Sequence, residues 1–358
     1  MIHVVLDCIV FDLQPGGGIS RYWVNLIAGL AQLAEAPHLH LLIHENAATA
    51  SARQVIELAR ANPRCTLHPY RARRLERIRE PAIPHELRRR AVFHSSYYRF
   101  ASDMPNVLTV HDFTYEETAG GWRATAQHWQ KSRALARSAA VVCVTESTRL
   151  DFRRRFPNYR DRPVEVIHHG VESHFSPHAN PRLAAPAGKE YVLFVGRRDS
   201  YKNFWPVVNA VARLSDFALT VVGPPLTSNE RLRLDAEIGG RYTVRSQVSD
   251  RELIALYRDA FALAYPSRYE GFGLPVLEAM ACGCPVVAQR ASSIPEVAGE
   301  AAMFLDEVTP VSLASTFERL RVCDVREQFS SRGLVQAARF AWKDAAERYL
   351  RTYSALST

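Results

Sequence analysis

Short apolar runs alternate with longer stretches that carry apolar residues at helical spacing, and the alternation recurs along the whole chain. Runs of roughly four to eight apolar residues between turn signals read as buried strands, and apolar recurrence at three and four residues reads as amphipathic helix. Ile2 to Cys8 is then a first strand, and the loop through Gly16-Gly-Gly18 leads to a helix over 21–30 that Ser20 would cap. Leu39 to His44 is a strand, Ser51 to Ala61 a helix, and Cys65 to His68 a short strand. Two more strands fall at 91–96 and 107–112, and Thr114 to Gly121 reads as a flexible stretch. Helix at Trp122 to Arg137, strand at 139–145, helix at Glu146 to Phe156 and strand at 163–168 complete a first series.

A polar, proline-punctuated stretch from about His169 to Lys189 reads as a linker. The second series opens with a strand at 191–196 and a helix from Asn203 to Leu214, followed by strands at 217–223 and 242–245. Ser249 or Asp250 would cap the next helix; the apolar run 260–265 is a buried strand that stops at Pro266. Beyond a glycine loop a helix begins near Pro275, strands follow at 285–288 and 301–305, and residues 339–353 end the pattern as a helix. Phe340, Ala345, Tyr349 and Tyr353 form its apolar stripe, with packing as the default reading. Strands alternating with helices imply an α/β protein whose sheets are parallel with helices on both faces, and the linker divides it into two domains.

Composition narrows the setting. At 358 residues the chain can bury two cores, and 47% hydrophobic with 23% charged residues is the balance of a soluble globular protein. No uncharged apolar run reaches the roughly 18 residues of a spanning helix, so a cytoplasmic protein is expected. The six cysteines are scattered, with Cys282-Gly-Cys284 the single close pair, and they read as buried thiols rather than disulfides or metal ligands. The net charge of +8 is uneven. Residues 1–170 hold 23 Lys and Arg against 16 Asp and Glu, or +7, and residues 171–358 hold 22 against 21, or +1. The excess is densest between Arg71 and Arg90, where Leu75, Ile78 and Ala82 recur beside the arginines. That spacing suits either a basic amphipathic helix on an anionic membrane or a solvated charged face. Nucleic acid is excluded as a partner, because no recognition motif or aromatic interleaving accompanies the charge.

Candidate chemistry concentrates at strand ends. Ser267-Arg-Tyr-Glu-Gly-Phe-Gly-Leu-Pro-Val-Leu-Glu278 links a strand to a helix through a glycine loop, a setting that offers backbone N–H groups to an anion. Glu270 and Glu278 flank it, and carboxylates bind hydroxyls rather than phosphates, which together suggest a nucleotide sugar. Arg197 and Lys202 stand between a strand end and a helix start, well placed for a diphosphate, although Arg197 could equally pair with Asp199. His111 and Asp112 end another strand, where an open α/β sheet puts its ligand groups, though a His-Asp pair can simply terminate a strand. No Asp-x-Asp occurs, and with cations at hand no metal is expected.

Glu270-Gly-Phe-Gly-Leu-Pro-Val-Leu-Glu278, with its tail Ala279-Met-Ala-Cys-Gly-Cys-Pro-Val286, resembles the EX7E signature of the retaining family 4 glycosyltransferases. The resemblance implies a GT-B fold: two Rossmann-like domains with parallel sheets facing across a cleft. Residues 1–170 would bind the acceptor, 171–340 the nucleotide-sugar donor, and a helix at 341–358 would cross back onto the first domain. It implies donor contacts from Gly17 and Gly18 of the glycine loop, and from Arg197 and Lys202 to the diphosphate. Val248 would lie near the base, and Glu278 would bind the ribose. Glu270 would hold the transferred sugar, beside the 271–274 loop of Gly271, Phe272, Gly273 and Leu274. His111, in a Val-His-Asp like that of family mannosyltransferases, would meet the donor sugar and complete a catalytic set with Arg197, Lys202 and Glu270. The motif versions look most like bacterial mannosyltransferases of O-antigen or exopolysaccharide assembly. Expected is a retaining, metal-independent transfer of mannose from GDP-mannose to a lipid-linked or growing saccharide. Another GT-B enzyme using a UDP- or dTDP-sugar, or a non-catalytic nucleotide-sugar-binding protein, is the alternative.

Overall fold

The computed structural model describes residues 2–14, 16–71, 75–119, 121–178 and 190–357. The chain forms two compact units, Met1–Gly170 with Ala341–Thr358, and Val171–Phe340. Residues 179–189 of the expected linker lie outside the described residues; His169 and Gly170 belong to the first unit, and 171–178 to the second.

In the first unit seven strands form a parallel sheet: β1 (His3–Asp7), β2 (His38–His44), β3 (Cys65–Tyr70), β4 (Ala91–Ser95), β5 (Asn106–Val110), β6 (Ser138–Cys143) and β7 (Val164–Val166). Their order is β3-β2-β1-β4-β5-β6-β7, so the direction of winding reverses between β1 and β4. The central strands are buried on both faces, which is why they read as continuous apolar runs rather than alternating ones.

The helix Trp342–Leu356 packs against Gly18–Gln32 in this unit. Gly29 makes the close approach possible: a Cβ there would stand 3.1 Å from the Cβ of Ala346. The expected apolar stripe turns out to carry a buried polar chain. Tyr22 donates to the Tyr349 hydroxyl at 2.5 Å, Tyr349 lies 2.8 Å from the Thr109 hydroxyl, and His94 contacts Thr109 at 2.8 Å and Tyr353 at 2.7 Å. Burial holds His94 well below its ordinary pKa, so it is neutral and passes hydrogen bonds along. Phe340 departs from the stripe; it belongs to the second unit, where its ring meets Phe272 edge-on at 6.0 Å.

The second unit holds a six-stranded parallel sheet of β8 (Tyr191–Val195), β9 (Ala218–Val222), β10 (Tyr242–Arg245), β11 (Ala262–Tyr265), β12 (Val286–Gln289) and β13 (Ala302–Leu305). The order is β10-β9-β8-β11-β12-β13, with the reversal between β8 and β11.

Two sequence expectations fail locally. Ser20 does not cap its helix: the helix starts at Gly18 with Gly17 (φ 135°) as its cap residue, and the Ser20 hydroxyl donates back to the Gln14 carbonyl at 2.6 Å. The Arg71–Arg90 segment is not an amphipathic helix. Residues 72–74 lie outside the described residues. Leu75 is left-handed (φ 65°), and the segment holds only a 3-10 turn at Glu76–Ile78 and a single helical turn at His85–Arg88. Pro81 and Pro84 cannot continue a helix, and Ile83 and Leu87, not Ala82, enter the core. Within the Thr114–Gly121 stretch, Tyr115–Ala119 form a π-helical turn, and residue 120 lies outside the described residues. Its Glu116 clamps the buried Lys131 ammonium at 2.8 Å. By contrast Ser249 caps its helix as expected, in a reciprocal pair with Glu252.

Candidate active site

A reversal of winding in a parallel sheet opens a crevice at the carboxyl ends of its two central strands, and ligands of such sheets bind there. In the second unit those strands are β8 and β11, paired in register at Leu193 and Leu263. β8 runs out into Gly196 and the 3-10 turn Ser200–Lys202, and β11 into the loop from Pro266 to Gly273. The two loops meet. Lys202 Nζ lies 2.5 Å from Glu270 Oε1, both side chains are largely buried, and the ammonium stands 5.3 Å from the centre of the Tyr265 ring.

Backbone ties fix this meeting. Arg268 N–H donates to the Tyr201 carbonyl at 2.8 Å, and the Asn203 side-chain amide donates to the Pro266 carbonyl at 2.8 Å. Asn203 is left-handed (φ 51°), a conformation asparagine tolerates better than most residues, and it starts the helix Phe204–Ala212. Beneath the Glu270 loop, Ser292 and Ser293 donate to the Glu270 carbonyl at 2.7 and 3.0 Å, and Ser293 also reaches the Phe272 carbonyl at 2.9 Å. Gly273 (φ 102°) caps the helix Leu274–Ala281 without a side-chain partner, and a Cβ there would come within 2.6 Å of Ile294 Cδ1. The left-handed φ is what calls for glycine; the terminal methyl of Ile294 would only have to shift.

Glu278 lies on that helix, buried, with one carboxylate oxygen accepting from the Tyr257 hydroxyl at 2.9 Å. Burial, then the nearby Glu270, holds the Tyr265 phenol well above its ordinary pKa, so it stays a neutral donor between the two carboxylates. Gly271 and Phe272 share the Glu270 loop, Phe272 with its ring buried. Arg197 takes the alternative partner: its Nε lies 3.1 Å from Asp199, but the side chain is 73% exposed, and such a pair holds it weakly. Arg198 is the anchored one, bound to Glu230 and to the Pro224 and Pro225 carbonyls. Val248 is half-buried on the loop after β10, two strands beyond β8.

His111, Gly17 and Gly18 belong to the first unit. His111 follows β5, is 6% exposed, and packs edge-on against Tyr22 at 4.7 Å. Neither of its ring nitrogens has a hydrogen-bond partner among the described residues, and burial holds its pKa down to about 4. A neutral imidazole with two unmatched nitrogens is an unusual thing to bury without a ligand to meet it.

The family descriptions "Glycosyltransferase Family 4" and "Glycosyl transferases group 1" match residues 16–175 and 177–332. The O-antigen chain mannosyltransferase B of Escherichia coli is 30% identical over 270 residues, 70% of either chain. This chain belongs to glycosyltransferase family 4. A D-inositol 3-phosphate glycosyltransferase of Acidothermus cellulolyticus is also 30% identical, over 73% of this glycosyltransferase and 66% of that protein. Among solved structures, the sucrose-phosphate synthase of Thermosynechococcus elongatus superposes with a TM-score of 0.74 at 20% identity over 99% of both chains. WaaG, a glycosyltransferase of lipopolysaccharide biosynthesis, gives 0.68 at 15% identity over 98% of this chain and 99% of its own. The fold of the glycosyltransferase is accordingly GT-B, with its two Rossmann-like halves.

Sequence reasoning singled out Lys202, Glu270 and the 271–274 loop, and the structure brings these together. It passed over Asn203, Ser292 and Ser293, which position them, and Tyr257, which holds Glu278. Asn203 alone left a trace, as an asparagine just before a helix; the serines act through a backbone that no spacing rule exposes.

Proposed function

We propose that this glycosyltransferase moves mannose from GDP-mannose, with retention and without a metal, onto a lipid-linked or growing saccharide of a surface polysaccharide. The observation that carries the reading is the Lys202–Glu270 contact at the winding reversal of the second unit. An ammonium has three N–H donors, and Glu270 occupies one, leaving two for the oxygens of a diphosphate. The choice of mannose rests on similarity to the O-antigen chain mannosyltransferase B.

In this reading Lys202, the amides at the start of the Leu274–Ala281 helix and a reoriented Arg197 stabilise the charge that grows on the diphosphate as the bond from sugar C1 to phosphate oxygen breaks. Its electron pair stays on the phosphate. The acceptor oxygen bonds C1 on the same face, and its proton passes to a phosphate oxygen. Glu270 and His111 hold hydroxyls of the transferred sugar; Glu278 holds the ribose, Val248 lies by the base, and Gly17 and Gly18 line the approach. Among the described residues no group of His, Cys, Asp or Glu is arranged to hold a metal ion.

Hydrolysis and transfer assayed against GDP-, UDP- and dTDP-sugars in EDTA test the reading. Turnover of GDP-mannose above the rest supports it. Preference for a UDP- or dTDP-sugar replaces the donor, loss on chelation removes the metal-free mechanism, and binding without turnover points to a non-catalytic protein.

A further inference from the structure

β5 ends at Val110, where the Val144 N–H still reaches the Val110 carbonyl at 3.3 Å; His111 and Asp112 lie beyond the strand. Neither nitrogen of the His111 ring has a hydrogen-bond partner among the described residues, so no bond of its own orients the ring. Its place is set by packing, with Tyr22 edge-on, and by the backbone that carries it.

That backbone is gripped from the helix Gly121–Arg137 of the first unit. Lys131, buried on the inner face of this helix, donates to the Asp112 carbonyl at 2.8 Å and to the two oxygens of Glu116 at 2.8 and 3.0 Å. An ammonium has three N–H donors, and all three are used, so Lys131 is not a cation kept for a ligand. Its Nζ also stands 4.3 Å from the centre of the Phe113 ring. The segment it grips is stiff in itself. The Thr114 N–H donates to the Asp112 carboxylate at 3.0 Å, and the Glu117 N–H to the Phe113 carbonyl at 2.9 Å.

One turn earlier on the same helix face, Gln127 donates to the Tyr97 hydroxyl at 2.6 Å. Tyr98 beside it is left-handed (φ 57°), a conformation that an aromatic residue keeps only where its surroundings enforce it. The helix thus clamps the loops that follow β4 and β5 with polar side chains. Taking an ammonium out of water is costly, and burial pulls the Lys131 pKa down against the opposing pull of Asp112 and Glu116. A methionine would fill the same space without that cost. What the lysine adds is a bond to the carbonyl next to His111.

We propose that Lys131 is a positioning residue of the transfer reaction: by fixing the Asp112 carbonyl it holds the His111 imidazole in place at the end of β5. This role rests on the reading that gives His111 a hydroxyl of the transferred sugar.

Transfer kinetics on the full chain, with urea melts and GDP binding measured beside them, test the role. Lys131→Met should lower kcat about 10- to 100-fold, as small misplacements of a reacting centre do, while affinity for GDP stays at the wild-type value. The variant also strands the Glu116 carboxylate, so Lys131→Met/Glu116→Gln is measured with it: stability should return toward wild type, and kcat should not. Glu116→Gln alone keeps the bond to Asp112 and should turn over at close to the wild-type rate, whatever its stability. In a His111→Ala background, Lys131→Met should lower kcat by no more than about threefold further, because the two residues act as one unit. Recovery of kcat together with stability in the double variant reduces Lys131 to a structural ion pair and overturns the proposal. A loss as severe in Glu116→Gln, or a matching fall in GDP affinity, does the same. A full, independent loss on top of a slow His111→Ala protein also overturns it and leaves His111 its sugar contact. A His111→Ala protein with wild-type kcat removes the sugar contact itself, and the positioning role with it.

Discussion

Lys202 Nζ and Glu270 Oε1 lie 2.5 Å apart although 68 residues separate them in the chain. Each sits at the end of one of the two strands that flank the winding reversal, so the fold itself produces the contact. Lys202→Ala removes the cation aimed at the diphosphate and should lower kcat by about 10²- to 10³-fold. It also leaves the largely buried Glu270 without its partner, at a cost of about 1–3 kcal/mol. Glu270→Gln keeps the shape and removes the charge, so it should lose transfer while unfolding near wild type. Steady-state kinetics with urea melts separate the two effects, and a Lys202→Ala protein with wild-type kcat would remove the residue from the reaction.

Glu278 and Tyr257 divide a structural role from a ligand role. Tyr257→Phe deletes the 2.9 Å hydrogen bond but keeps the carboxylate, and should cost about 1 kcal/mol with a small change in donor KM. Glu278→Ala should cost similar stability and raise donor KM by an order of magnitude or more, as loss of a hydrogen-bonded charge does. Equal KM values in the two variants would mean that the carboxylate serves Tyr257 alone.

Asp7 and Arg99 fill the corresponding reversal in the first unit, between β1 and β4. Both side chains are fully buried, Asp7 accepts from Arg99 and Ser95, and Arg99 extends to Glu76 at 2.6 Å. Arg99→Met strands a buried carboxylate and should destabilise the protein by about 3–5 kcal/mol in urea at neutral pH. Replacing both partners by apolar residues should recover much of that loss; a double variant as unstable as Arg99→Met would assign the cost to packing.

The order of strands and helices was legible because apolar runs buried on both faces differ plainly from amphipathic helix, and the EX7E stretch was legible because its chemistry is contiguous. The Asp7–Arg99 pair was not, since 92 residues separate the partners and neither carries a local mark. The Arg71–Arg90 stretch misled for the opposite reason: its spacing mimicked a helix while Pro81 and Pro84 forbade one. Glu278 reads from the sequence as a ligand for ribose, and only the packing reveals that Tyr257 already holds one of its oxygens.

The amino-terminal edge of the first sheet sets a pH dependence. His3, His40 and His68 form a chain across β1, β2 and β3, with ring nitrogens 3.0 and 3.1 Å apart and His38 stacked 4.7 Å from His40. Burial first, then the neighbouring imidazoles, hold His40 down to about 4; burial also lowers His3 and His68. Arg90 and the amino terminus add to the effect at His3, while Glu86 opposes it at His68. His94 and His111 are depressed by burial in the same direction. Each group binds its proton more readily in the unfolded chain, so the folded state is fully favoured above the ordinary histidine pKa of about 6.5 and loses stability as pH falls from there toward 4. Urea midpoints measured between about pH 7.5 and pH 5 should fall steadily below about pH 6.5. His40→Asn removes the most strongly shifted member of the chain and should flatten that slope, even if its stability at neutral pH is lower. A wild-type midpoint constant across the interval would mean that the imidazoles titrate alike in the folded and unfolded chains, and the histidine chain would then contribute no pH dependence.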